Sequence, residues 1–197
     1  MTGAKSNRAI IDDELEEILP ILANYVYDVM KAHYGIHWWE HTISIKSPSR
    51  EKLLKITDDA DRIDKLDVYR ATKAIILNKD KFDNPVDSQQ KSLPKVDFEL
   101  AKKINNIRND IEHAGKNGIS YVYVCECLSS ISHFIEPLDV NRSRIALQKL
   151  REYMNKPMDC DSSQPSITVG GKNNHYNNLP NYVDKVKEVL KNNNFDG

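Results

Sequence analysis

The stretch VDFELAKKINNIRNDIEHAGKNGISYVYVCECLSSISHFIEPL, residues 96–138, decides the fold class of this chain. Its apolar residues recur at intervals of three and four in two blocks, which puts each block on one stripe of an α-helix. The stripes contain Leu100, Ile104, Ile107, Ile111 and Ala114, and then Tyr121, Val124, Leu128, Ile131, Ile135 and Leu138. We predict helices over 96–114 and 119–136, joined by a short glycine-containing loop as an antiparallel hairpin.

Helical patterns continue on both sides of the hairpin. Residues 121–124 have strand propensity, but the longer helical spacing in which they lie outweighs it. The predicted helices cover 12–34, 50–61, 64–78 and 141–154, and a loop is expected over 80–95. Pro20 either kinks the first helix or marks a start near Leu19. Because Trp38 and Trp39 are adjacent, we expect at most one of them to face a given core direction.

The predicted architecture is therefore all-α, with an up-down core of four to five helices. We place this domain at residues 10–154. Residues 155–197 are rich in Asn, Ser, Pro and Gly at first and then contain a short apolar pattern over 181–191. We predict a flexible C-terminal extension there, made of a linker and a short helix, because such composition buries little apolar surface.

Charge and composition exclude several classes of function. With 28 Lys and Arg against 29 Asp and Glu among 197 residues, the net charge is −1, so nucleic acid would need a local basic patch. No apolar run approaches the ~20 residues of a membrane-spanning helix, so no membrane partner is expected. The N-terminus shows no signal-peptide core. Three cysteines form no disulfide framework, which favours a cytoplasmic location.

The end of the first hairpin helix carries the candidate chemistry. On a helical projection Arg108 lies about 80° from the apolar stripe, at the border of the core. Asn106, Asn109 and His113 fall on the opposite side, at i, i+3 and i+7. An imidazole close to an arginine offers an acid/base group together with an anion-binding group.

Arg108-Asn109, followed by His113, resembles the arginine–histidine motif of the HEPN superfamily of helical RNA-processing and toxin domains. Two further stretches agree with the Swt1-like branch of that superfamily. They are AHYGIHWW at residues 32–39 and IDKLDVY at residues 63–69. Together the three stretches spread over roughly residues 15–138.

The resemblance implies a HEPN-like helical bundle that commonly forms homodimers, in which the motifs of two protomers meet at one groove. It implies RNA cleavage without a metal or other cofactor, often in defence, toxin or RNA-processing systems. His113 would be the general acid/base, Arg108 would stabilise the phosphate charge, and Asn109 would orient the site. Arg108, Asn106 and Lys102 would contact RNA.

Two alternatives from other classes stay open. The first is a catalytically inactive HEPN module that mediates dimerisation or recruits a protein partner or a neighbouring domain within a larger system. The second is a structural helical adaptor unrelated to nucleotides. For both, Arg108 would form an ordinary i, i+4 salt bridge with Glu112, worth a few tenths of a kcal/mol. His113 would then cap the helix.

Other polar clusters have plainer interpretations. His33, His37 and His41 share a four-residue spacing, but Gly35 and the tryptophan pair interrupt a zinc-binding helix. We interpret these histidines as packing or surface residues and predict no metal site. Asp58-Asp59-x-Asp61 lacks the glycine and glutamate of a calcium loop, so a solvated helix face is expected. Cys125 and Cys127 are interpreted as core residues.

Overall fold

The computed structural model describes residues 6–43, 49–113 and 118–155. In these ranges the regular structure is helical, and the predicted all-α class is confirmed. The α-helices are α1 (Asn7–Tyr34), α2 (Trp38–Thr42), α3 (Arg50–Leu54), α4 (Asp59–Asp64), α5 (Val68–Leu77), α6 (Lys79–Phe82), α7 (Phe98–His113), α8 (Tyr121–Ile135) and α9 (Val140–Met154). A 3-10 turn, Gly35–His37, joins α1 to α2.

The core forms where the long helices meet. α1 packs against α5 and α8, α7 packs against the same two helices, and α9 covers α8. The predicted hairpin is confirmed as the α7/α8 pair, although residues 114–117 of its loop lie outside the described ranges. The apolar stripes face this core, and burial of each such side chain contributes about 1.5–3 kcal/mol. Fully or almost fully buried are Ile104, Ile107, Ile111, Val124, Leu128, Ile131 and Ile135.

Helix α1 begins earlier than predicted and runs through Pro20. Ser6 caps its start, because the Ser6 hydroxyl accepts a hydrogen bond from the backbone N–H of Ala9 at 3.2 Å. Pro20 and Glu16 are both exposed, so the Glu16 carbonyl that loses its helical donor is within reach of water. Of the two alternatives for Pro20, the start near Leu19 is therefore wrong, since α1 continues through the proline and solvation offsets part of its cost.

The predicted helix over 50–61 is wrong as one element, because the chain breaks between α3 and α4. Asp58 causes the new start: its carboxylate accepts from the backbone N–H groups of Ala60 and Asp61, at 2.9 and 3.2 Å. The loop predicted over 80–95 contains the single turn α6 and one isolated bridge between Val86 and Ser92. The predicted linker and terminal helix lie outside the described residues, apart from residue 155.

Both adjacent tryptophans are buried, and they reach different partners in the core. Trp38 is 0% and Trp39 is 1% exposed. The Trp38 Nε1–H donates to Asp59 at 2.9 Å, and the Trp39 Nε1–H donates to the Leu53 carbonyl at 2.8 Å. The short helix α2 lies against α1 and α5, and different elements cover its successive faces. Each indole therefore finds apolar cover and a polar partner.

Asp59 links three helices, which corrects the interpretation of its acidic cluster as a solvated face. Its carboxylate accepts hydrogen bonds from Lys31 of α1 at 2.5 Å, from Trp38 of α2 and from Arg62 of α4 at 3.1 Å. Partial burial raises the pKa of Asp59, but the hydrogen bonds from these three groups outweigh burial and lower the pKa to about 2. The charged form of Asp59 therefore stabilises the fold.

We expect Asp59 to make stability depend on pH in acid. Its pKa is lower in the folded state than the 3.8 of the free group, so its contribution is complete above that value and is lost as pH falls towards about 2. Asp59→Asn should be less stable than wild type near neutral pH, and the difference should shrink by about pH 2. Urea unfolding across this range measures it. The exposed Asp61→Asn is the control, and a pH-independent difference for Asp59→Asn would contradict the assignment.

Candidate functional site

Helix α7 positions all the candidate residues. It begins after Asp97, whose carboxylate accepts from the backbone N–H groups of Glu99 and Leu100 at 2.7 and 2.9 Å. Because its isoleucines are buried against α5 and α8, the candidate polar side chains on the other side of the helix are directed towards the surface. The exposed candidates are Lys102, Asn106 and His113, and the half-buried ones are Arg108 and Asn109.

Three groups hold the Arg108 side chain in place. Its Nη1 lies 2.5 Å from Oε2 of Glu112 and donates to Oδ1 of Asn109 at 3.5 Å. Its Cζ lies 5.4 Å from the ring centroid of Tyr69 on α5. The i, i+4 salt bridge is worth about 0.3–0.5 kcal/mol, and an exposed cation–π contact about 0.5–1 kcal/mol. The guanidinium is therefore oriented by contacts that an anionic ligand can replace.

His113 is the last residue of α7 and has an exposed side chain. Within the described part of the chain, no hydrogen bond or ion pair engages its ring. Five residues separate it from Arg108, so the two side chains leave the helix about 140° apart. One protomer therefore does not direct both groups towards a single phosphate.

The structure separates the remaining predicted residues along the helix. Lys102 lies about 9 Å along the axis from Arg108. Its Nζ is 2.9 Å from a carboxylate oxygen of Glu99 and 4.6 Å from the ring centroid of Phe98. Asn106 is exposed. The structure thus brings Asn109 to Arg108, and it leaves Lys102 and His113 at separate positions.

Sequence patterns did not reveal the role of Tyr69 beside Arg108. A buried polar pair sets the packing of α5 against α7 there: the Asn105 Nδ2–H donates to the Thr72 hydroxyl at 3.0 Å. The Thr72 hydroxyl in turn donates to the Val68 carbonyl at 2.7 Å. Because both members are satisfied, the pair fixes the helix register and with it the contact between Tyr69 and Arg108. The sequence feature that could have indicated this packing is Asn105, a polar residue next to the apolar stripe of α7.

A second polar contact ties the C-terminal part of α7 to α8. The Tyr123 hydroxyl donates to a carboxylate oxygen of Asp110 at 2.7 Å. Burial, and then this hydrogen bond to a carboxylate, raise the pKa of Tyr123, so the phenol stays protonated as the donor. The contact holds the helical segment between Arg108 and His113 against the hairpin partner.

Two of the three clustered histidines contact other side chains of the protein. The His41 ring stacks on Tyr34 with centroids 3.9 Å apart, and His37 Nδ1 lies 3.4 Å from a carboxylate oxygen of Glu40. In the described ranges, no group of three or more His, Cys, Asp or Glu side chains is arranged to hold a metal ion. Cys125 and Cys127 are buried and free, as interpreted, whereas Cys160 lies outside those ranges.

A helical bundle that carries an arginine and a histidine on one surface helix is the arrangement expected of a HEPN-type domain. The family model described as Swt1-like HEPN matches residues 14–139, more than half of the chain. The chain belongs to the Swt1-like HEPN family, which confirms the resemblance. Comparison with curated proteins and with solved structures gives no match. None of the helices in the described ranges is long and apolar enough to cross a membrane.

Proposed function

We propose that this HEPN domain is a metal-independent endoribonuclease that works as a homodimer. The observation that carries the proposal is the exposed, unengaged imidazole of His113 at the end of α7, close in sequence to an arginine that its neighbours orient. Such an imidazole is free to exchange protons with a substrate. Membership in the HEPN family supports RNA as the proposed substrate class, because that superfamily includes RNA-processing domains.

The proposed reaction needs no metal and uses side chains of this chain together with water. The ribose 2′-oxygen attacks the adjacent phosphorus and loses its proton, while the bond from phosphorus to the 5′-oxygen breaks and the leaving 5′-oxygen gains a proton. His113 transfers the proton at one of these two oxygens, and water transfers the proton at the other. Arg108 stabilises the negative charge that grows on the phosphate oxygens, with Asn109 orienting its guanidinium. The products are a 2′,3′-cyclic phosphate and a 5′-hydroxyl.

A dimer would bring Arg108 and His113 to the same phosphate although the two side chains diverge on one helix. Because Arg108 and His113 leave α7 about 140° apart, a phosphate contacts both groups more readily when Arg108 comes from one protomer and the histidine from its partner. An antiparallel arrangement of two α7 helices would create two such sites, related by twofold symmetry. Asn106, exposed on the same helix, would add a hydrogen bond to the RNA backbone.

The ion pair with Glu112 is too weak to keep Arg108 from binding a phosphate. Its side chain is 49% exposed, and an exposed i, i+4 ion pair contributes only about 0.3–0.5 kcal/mol. A phosphate offers Arg108 charge-assisted contacts that are often bidentate. Exchange of one anion for the other therefore costs little, and Glu112 is free to turn into solvent.

A second candidate function is a catalytically inactive HEPN module that dimerises or recruits a protein partner. The ion pair of Arg108 with Glu112 and its contact with Tyr69 favour the inactive module, because the guanidinium already has partners within the protein. This candidate predicts a stable dimer or a captured partner with no RNA cleavage. For either candidate we propose a cytoplasmic setting, supported by the odd cysteine count, in defence, toxin or RNA processing.

RNA cleavage in EDTA tests the proposal. We expect purified protein to cut single-stranded RNA with chelator present and to leave 2′,3′-cyclic phosphate ends. His113→Ala should lower the rate by about 10²–10⁴-fold, the usual contribution of a general acid/base. The control is His37→Ala, which removes another exposed imidazole. Activity that disappears with chelator, or that survives in His113→Ala, contradicts the mechanism.

A further inference from the structure

Two aromatic rings on the α5/α7 face each contact two cations. The Phe98 ring centroid lies 4.8 Å from Nζ of Lys79 and 4.6 Å from Nζ of Lys102. The Tyr69 centroid lies 5.7 Å from Nζ of Lys73 and 5.4 Å from Cζ of Arg108. We call this set the cation–aromatic stripe; it consists of Tyr69, Lys73, Lys79, Phe98, Lys102 and Arg108.

The stripe follows the packing of two antiparallel helices. Tyr69, near the start of α5, meets Arg108 near the end of α7, whereas Lys79, just after α5, meets Phe98 at the start of α7. Ten residues of α7 separate the two ring groups, which is about 15 Å along the axis. That length matches about four nucleotides at a stacked spacing of about 3.4 Å.

The stripe is locally positive although the whole chain has a net charge of −1. Lys102 pairs with Glu99, and Arg108 pairs with Glu112. Lys73 and Lys79 form no ion pair within 4.0 Å of a carboxylate in the described part of the chain, although the charge of Lys79 helps to lower the pKa of the nearby Asp83. Their ammonium groups contact ring faces instead, so they are available to an external anion. The stripe is thus the kind of local basic patch that a chain of this composition needs for nucleic acid.

We propose that the cation–aromatic stripe binds a single strand of RNA and leads it to the arginine–histidine end of α7. A single strand offers phosphates and unpaired base faces together, and base stacking on an aromatic ring is worth more than an exposed cation–π contact. A base therefore displaces a lysine from its ring, and the released ammonium moves to the neighbouring phosphate. A duplex hides its base faces, so it gains only the charge contacts. This inference rests on the proposed function, because it names the form of the substrate.

Fluorescence anisotropy with a labelled oligouridylate of about 12 nucleotides tests the stripe. The full chain with His113→Ala serves as background, so that cleavage does not disturb binding. Lys73→Glu with Lys79→Glu should weaken binding at least about 10-fold and reduce the salt slope by about 1.4, from two lost phosphate contacts. Phe98→Ala should weaken it by about 5–150-fold through lost stacking.

A charge-matched variant provides the control. Arg8→Glu with Arg151→Glu changes the same number of charges on α1 and α9, both at exposed positions. It should retain nearly wild-type affinity, and a duplex of the same length should bind more weakly than the single strand. Circular dichroism and thermal melting verify that each variant is folded; if Phe98→Ala does not fold, the lysine variant carries the test.

Several results would overturn the inference. They are equal losses in the stripe and control variants, equal affinity for duplex and single strand, no binding at all, or a stripe variant that changes only the mass of the dimer. The last result would identify the stripe as a protein interface. Binding by the stripe without cleavage in the wild type would instead refute the nuclease function alone. Cleavage with normal binding in the stripe variants would refute only this inference.

Discussion

Mixing Arg108→Ala protein with His113→Ala protein is expected to restore about one quarter of wild-type RNA cleavage, from two preparations that are each almost inactive. Loss of the acid/base group alone costs about 10²–10⁴-fold. Random exchange of protomers makes about half of the dimers mixed, and a mixed dimer has one intact site of two if each site is composite. The recovery follows because the intact site takes its arginine from one chain and its histidine from the other.

A complementary mixture distinguishes composite sites from sites within one chain. Wild type mixed with an equal amount of the Arg108→Ala/His113→Ala double variant should lose about half of its activity, because a mixed dimer then contains no intact site. If each chain uses its own pair, that mixture keeps its full activity and the first mixture shows no recovery. Light scattering gives the oligomeric state, and a strictly monomeric mass would contradict the dimer.

Glu14→Ala is expected to lower the free energy of unfolding by about 3–5 kcal/mol. Glu14 on α1 is 0% exposed, and its carboxylate pairs with Arg142 and with Lys149, both on α9, the latter at 2.7 Å. The Arg142 side chain is 9% exposed, and its Nε finds no acceptor in the described structure. Removal of the carboxylate leaves the Arg142 charge buried without a counter-ion, which costs more than a typical substitution.

Urea unfolding measures this loss, with Glu17→Ala as the matched control. Glu17 is exposed on the same helix, so its replacement should change the free energy of unfolding by less than about 0.5 kcal/mol. A double variant, Glu14→Leu with Arg142→Met, should recover much of the stability, because no charge is then left buried. A loss below about 1 kcal/mol for Glu14→Ala would show that solvent reaches Arg142 and would contradict the assignment.

The periodic spacing of apolar residues predicts much of the fold. The apolar stripes of α7 and α8 predicted the hairpin, because the side-chain pattern of a helix repeats within one or two turns. The ion pair between Arg108 and Glu112 was also foreseen as one interpretation, since residues four apart on a helix are neighbours. The helix starts that periodicity did not predict also have local causes, because Ser6 and Asp58 are N-cap residues that accept hydrogen bonds from the first turns of α1 and α4.

The spacing of apolar residues does not predict contacts between residues that are far apart in the sequence. Glu14 has the appearance of a surface residue in an acidic segment, and its burial depends on Arg142, which is 128 positions away. Asp59 lies in an acidic run that suggests solvent, yet Lys31 and Trp38 come to it from other helices. Burial of a charged side chain requires oppositely charged or hydrogen-bonding groups beside it, and here the tertiary structure supplies these groups.

By itself, the sequence determined the helical class, the hairpin, the family and the residues of the arginine–histidine motif, because each of these depends on spacing within a few turns. Only the tertiary structure decided that Trp38 and Trp39 are both buried and that Tyr69 lies against Arg108. Packing of α5 on α7 through Asn105 and Thr72 sets that contact. The physical reason is that burial and electrostatic environment arise from neighbours in space, which helical periodicity does not specify.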